Sequence, residues 1–141
     1  MKSNKISFVG KKLILLTLLT GSLFAQNQKM QIFKPVTSTC PQSWLDDMKI
    51  QVDDVQITTL RDIKGLKFQI GVPREIQSCN TSIIDDYIFE GNVPAKAIKD
   101  FFKAIPKNSI GISLPAYEND KEIKTVYVIF EDKTYKEFGK Y

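Results

Sequence analysis

Hydrophobic and polar positions change rhythm several times along this chain, and each rhythm predicts an element. Met30-Gln31-Ile32-Phe33-Lys34-Pro35 reads as a short strand stopped by proline. Cys40 to Met48 reads as a helix, with Pro41 at its first position and Trp44, Leu45 and Met48 on one face. From Val52 to Leu60, Val55 and Ile57 alternate with polar residues, which predicts a second strand. Asp62 caps a short helix whose Ile63, Leu66 and Ile70 face inward and which Gly71 ends. Thr81-Ser82-Ile83-Ile84 and Tyr87-Ile88-Phe89-Glu90, joined by Asp85-Asp86, form a hairpin. Gly91-Asn92-Val93-Pro94 introduces a helix with Ala97, Ile98, Phe101, Phe102 and Ile105 in one stripe, stopped at Pro106. A last strand pair runs from Ile123 to Phe130 and from Thr134 to Phe138.

The order is β-α-β-α-β-β-α with a C-terminal hairpin, and it predicts a single α/β domain of the thioredoxin-like sandwich type. The early βαβ unit is expected to be parallel with a right-handed crossover, and the middle hairpin antiparallel. Nothing repeats internally.

The first segment follows a different logic. Lys2, Lys5, Lys11 and Lys12 form a positive end, Leu13 to Leu19 an apolar stretch, and Gly21-Ser22-Leu23-Phe24-Ala25 a small-residue close. This is the layout of a secretory signal, with Ala25 the last residue removed. The apolar run of about 12 residues falls short of the ~20 needed to span a bilayer, which disfavours an uncleaved anchor. No cysteine follows the run, so lipoprotein anchoring is excluded. The expected organisation is a signal peptide over 1–25, a short polar linker over 26–29 and one domain over 30–141, located in a bacterial periplasm.

Length and composition agree with one domain: 141 residues, 43% of them hydrophobic and 26% charged. The formal charge of +4 does not signal a polyanion partner. Without the four lysines of the signal, 16 basic residues face 16 acidic ones. A nucleic-acid partner is therefore not expected. No glycine-rich phosphate loop and no Ser/His/Asp set is present, which disfavours nucleotide binding and serine-type hydrolysis. Asp46-Asp47 and Asp53-Asp54 read as solvated acids, and Asn80-Thr81-Ser82 as a glycosylation pattern without weight in a bacterium. No enzyme activity is expected, with thiol-disulfide oxidoreduction as the alternative.

The candidate chemistry rests on the chain's two cysteines, because it has no histidine. Cys40 follows a strand and precedes a helix start, where helix dipole and free N–H groups are expected to favour a thiolate. Cys40-Pro41-Gln42-Ser43 has the spacing of a Cys-x-x-Cys redox motif with serine in the second position. Cys79 precedes the hairpin, and in such a sandwich that turn lies beside the first helix. Three readings follow: a structural disulfide, a reactive thiol whose partner is a thiol or disulfide protein, or a soft-metal ligand. A Cys40–Cys79 bridge would close a loop of about 40 residues, worth roughly 4 kcal/mol in the chain-entropy model. Two thiolates suit Cu(I), whereas tetrahedral zinc needs four ligands.

Several motifs from Met30 to Tyr141 resemble domain-of-unknown-function family 411, small exported proteins often described as copper- or metal-binding. They are Trp44-Leu45-Asp46-Asp47-Met48, Gly71-Val72-Pro73, Gln77-Ser78-Cys79-Asn80-Thr81, Tyr87 through Pro94, and Phe138-Gly139-Lys140-Tyr141. The departures fall on ligand-type residues. The family's Cys-Gly-Cys-Cys corresponds to Ser38-Thr39-Cys40-Pro41, retaining one cysteine. Its Ser-Cys-His-Thr becomes Ser78-Cys79-Asn80-Thr81, and its Glu-Gly-His-Val-Pro becomes Glu90-Gly91-Asn92-Val93-Pro94. Its Gly-Met-Pro segment aligns near Leu114-Pro115-Ala116-Tyr117, without methionine. The resemblance implies a member lacking most of the family's Cys, His and Met ligands. Its expected function is residual copper handling by Cys40 and Cys79, bordered by Asn80 and Asn92; the alternatives are a thiol-disulfide redox protein using Cys40 with Cys79, or a non-catalytic interaction module with a structural disulfide.

Overall fold

The computed structural model describes residues 28–141. The expected signal segment 1–25 and the first two residues of the expected linker lie outside the described residues. The elements run β1 (Lys29–Pro35), α1 (Gln42–Gln51), β2 (Asp54–Leu60), α2 (Ile63–Ile70), β3 (Thr81–Ile84), β4 (Tyr87–Glu90), α3 (Ala95–Lys103), β5 (Ser109–Ser113), β6 (Thr125–Phe130) and β7 (Tyr135–Lys140). Two single 3-10 turns, Arg74–Ile76 and Ala116–Glu118, join them. The α/β class is as expected, and the strands form one seven-stranded sheet in the order β2-β1-β3-β4-β5-β6-β7. β1 pairs with β2, and β4 with β5, in parallel; the other neighbours are antiparallel.

Alternation along the strands divides the core between the two sheet faces. On one face Trp44 and Met48 of α1 and Ala97, Ile98 and Phe101 of α3 cover Met30, Ile32, Ile84, Phe89, Ile112, Val126 and Val128. Phe101 meets Phe89 edge-on at 5.7 Å, a geometry favoured by the ring quadrupoles. On the other face Val72 and Ile76 pack against Ile88 and Ile129.

The predicted caps and turns are largely where the sequence puts them. The Asp62 side chain accepts from Gly65 N–H at 2.9 Å, and Gly71 closes α2 in the left-handed region. The Asp85-Asp86 turn uses positive φ at Asp85. Lys29 of the expected linker opens β1. α1 begins two residues later than predicted, because Pro41 acts as its N-cap with extended ψ, and Val52 caps its C-terminus rather than opening a strand. Ile105, expected in the α3 stripe, lies beyond the helix end and is exposed.

The main departure from the expected element order is an additional strand, β5, between α3 and the C-terminal hairpin. It sits between β4 and β6, so the last hairpin is the outer part of a three-strand extension. Its Ser-Ile-Gly-Ile-Ser alternation is interrupted by Gly111, where any Cβ would run into the Ile88 carbonyl. Close backbone approach to β4 demands glycine there, and the same glycine weakens the strand signal.

Candidate functional site

The strand directions gather the predicted residues at one end of the sheet. β1 and β4 finish there and β3 begins there, with Phe33 opposite Thr81 and Thr81 opposite Glu90. Cys40 lies five residues beyond the end of β1, Cys79 two residues before β3, and Asn92 two residues beyond β4. The carboxyl ends of parallel strands are the usual location of sites in open α/β sheets.

Local contacts fix this end. Lys34 Nζ donates to Ser38 O at 2.7 Å, closing the turn that carries the chain to Cys40. Trp44 Nε1 donates to Val93 O at 2.9 Å, tying α1 to the loop that holds Asn92. Gly91 N–H donates to Asn80 O at 2.8 Å. Gly91 has φ +80° and lies against Ser78 so closely that a Cβ would collide with it. Glycine at 91 therefore brings the Asn92 loop down onto the Cys79 turn.

Both thiols are free; Cys40 is half-buried and Cys79 exposed. Burial pushes the Cys40 thiol above its ordinary pKa, the Lys34 ammonium pulls it back, and the charge of Cys79 adds a smaller upward push. The residue stands outside the Pro41 cap and packs against the apolar core, so burial opposes the thiolate that a helix start is expected to favour. Asn80 is buried, and its Nδ2 lies 3.4 Å from Gly91 O, at the outer limit of a hydrogen bond. The Asn92 Oδ1 atom is buried without a hydrogen-bond partner, as is Ser78 Oγ. Among the described residues no group of three or more His, Cys, Asp or Glu side chains is placed to hold a metal ion. The available soft donors are the two thiols.

Beneath the Cys79 turn lies a polar network that the sequence reading missed. Glu90, wholly buried on β4, accepts from Ser78 N–H at 2.8 Å and from Thr81 Oγ1 at 2.6 Å. Lys67 of α2 pairs with the same carboxylate and donates to Thr81 Oγ1 at 2.8 Å. Burial lowers the Lys67 pKa and raises that of Glu90, while their mutual attraction opposes both shifts. The negative charge of a Cys79 thiolate also favours the Lys67 ammonium. The signal for Lys67 was present: it stands four residues after the inward-facing Ile63, on the buried side of α2.

Fold and site together define an α/β protein with Cys40, Cys79 and Asn92 on the connections that leave β1, enter β3 and leave β4 at one end of its sheet. The family model described as "Protein of unknown function, DUF411" matches residues 76–118, the stretch that carries Cys79, Glu90 and Asn92. This is the family that the sequence motifs resemble. Two solved structures share the fold. "Copper resistance protein copG- Form 2" aligns with a TM-score of 0.68 at 20% identity, covering 82% of this chain and 99% of that one. "Copper resistance protein copG- Form 1" aligns at 0.63 and 19% identity, covering 82% and 98%. No curated protein matches the chain.

Proposed function

We propose that this is an exported, thioredoxin-like protein that takes Cu(I) as cargo between Cys40 and Cys79. The carrying observation is that the strand ends set two free thiols, Cys40 after β1 and Cys79 before β3, at the same end of the sheet. Cu(I) is soft and accepts two thiolates, whereas zinc prefers a closed set of four ligands. The β2-β1-β3-β4 order, with α1 and α3 on one face, supports the thioredoxin-like reading. The names of the two structural neighbours, copper resistance proteins, support copper as the metal. The unpartnered Asn92 Oδ1 marks where an imidazole of the family's motif is replaced by an amide, which keeps an oxygen acceptor but removes a nitrogen ligand.

Export rests on the signal-like segment 1–25 and implies a periplasmic location. N-terminal sequencing of the secreted protein is expected to begin at Gln26; retention of residues 1–25 on a membrane-bound protein overturns that part. The metal reading is tested by anaerobic titration of the reduced chain with Cu(I) against a chromogenic chelator. One ion per chain is expected, with loss of binding in both Cys40→Ser and Cys79→Ser. Binding that survives either substitution refutes a shared site. A reversible Cys40–Cys79 disulfide without copper affinity would move the function to thiol-disulfide exchange.

A further inference from the structure

Lys64 and Phe68 of α2, Gly71 at its end, Arg74 of the following turn and Lys133 of the β6–β7 turn line a groove of about 780 Å³. We infer that this groove is a docking surface for an acidic peptide segment that sets one apolar side chain on Phe68. The inference does not depend on the cysteines binding copper.

Phe68 is 76% exposed, although it sits on a helix whose opposite side is built into the core. The Lys133 ammonium stands over its ring at 5.4 Å, giving the apolar surface a cationic rim. Gly71 forms the floor: any side chain there would meet Ile110 and Lys133, filling the space between them. The lining holds three cations and no carboxylate. Among the described residues none of Lys64, Arg74 and Lys133 forms an ion pair, whereas Lys49, Lys96, Lys103 and Lys121 each do.

The carboxylates nearest in sequence do not neutralise the groove. Asp62 accepts from Gly65 N–H, and Asp132 accepts from Thr134 N–H and Oγ1. Glu75, beside Arg74, and Glu131, two residues before Lys133, are outside the lining. Charge decides the occupant. Residues 1–27 carry four lysines and no acid, so this segment is repelled by the groove. A long polyanion is drawn by a net positive chain, and beyond residue 25 basic and acidic residues are equal in number. A short acidic segment needs only the local cluster, and Arg with exposed aromatics is typical of protein interfaces. Gln77 ends the groove two residues before Cys79, so a protein docked here reaches the Cys79 turn.

The test uses the reduced full chain and a fluorescent peptide of Glu and Asp residues around one central Phe, followed by anisotropy. Lys64→Glu, Arg74→Glu and Lys133→Glu are each expected to weaken binding about tenfold at low salt, equivalent to about 1.4 kcal/mol. Phe68→Ser, an exposed change that spares the core, is expected to have a similar effect, and so is replacing the peptide's Phe with Ser. Lys49→Glu, on the opposite sheet face, is expected to leave binding unchanged. Equal losses from Lys49→Glu and Arg74→Glu would reduce the effect to net charge and overturn the inference. Indifference to both Phe replacements, or displacement of the peptide by inorganic phosphate, would make the groove a small-anion site and overturn it too. Self-association abolished by Arg74→Glu would assign the surface to a second copy instead.

Discussion

Lys67 on α2 and Glu90 on β4 form an ion pair with 3% and 0% of their side chains exposed. The pair joins the second helix to the central sheet, and through Ser78 N–H it anchors the turn that presents Cys79. Removing one partner leaves an uncompensated buried charge. Lys67→Met and Glu90→Leu are each expected to cost about 3–5 kcal/mol by urea unfolding. The double substitution is expected to be much milder than the sum, because it buries no charge. Additive losses would show that the two groups do not act as a pair.

Glu118 supplies a pH-dependent contribution. Its carboxylate accepts from Lys121 Nζ at 2.6 Å and from Thr125 N–H at 2.9 Å, which together hold its pKa below the ordinary value. A depressed carboxyl stabilises the fold above its unfolded pKa, about 4.3, and that contribution disappears as pH falls through the folded value. Glu118→Gln is therefore expected to lower the urea midpoint at neutral pH, and the gap to the natural chain should narrow as pH falls below the unfolded value of about 4.3. A gap that stays constant with pH contradicts the assignment.

The two thiols should differ in reactivity. Cys79 is exposed, while Cys40 is half-buried with its pKa pushed up by desolvation. Iodoacetamide followed by peptide mass spectrometry is expected to modify Cys79 first, and raising the pH should accelerate Cys40 well into the alkaline range. Faster labelling of Cys40 near neutrality would indicate an activated thiolate there.

Asn92 offers a gain-of-function test. Its Oδ1 is buried and unpartnered beside the Cys79 turn, so an imidazole nitrogen at this position adds a ligand without breaking a hydrogen bond. Asn92→His is expected to raise Cu(I) affinity about tenfold or more, measured by chelator competition. An unchanged affinity would separate Asn92 from the thiols.

Much of this architecture is legible in the chain because it is written locally. Periodicity gives α3, whose Ala97, Ile98 and Phe101 are buried as expected, and cap chemistry gives α2 between Asp62 and Gly71. The β3–β4 hairpin follows from two short apolar runs on either side of Asp85-Asp86. The two cysteines and their flanking asparagines were also visible, since few other residues here carry soft or ligand-like chemistry.

What only the tertiary structure decided depends on neighbours remote in sequence. β5 is a strand because β4 and β6 supply its hydrogen bonds, and Gly111 is there because Ile88 comes too close for a side chain. Helical spacing from Ile63 puts Lys67 on the buried side of α2, but its partner Glu90, 23 residues away, is decided only when the sheet sets one beneath the other. The Cys40 pKa shift has the same origin: the local sequence supplies a helix start, but packing against the core takes away part of the water that would solvate a thiolate. Patterning determines which face of an element is apolar; only folding determines which polar groups lose their solvent, and desolvation then sets their chemistry.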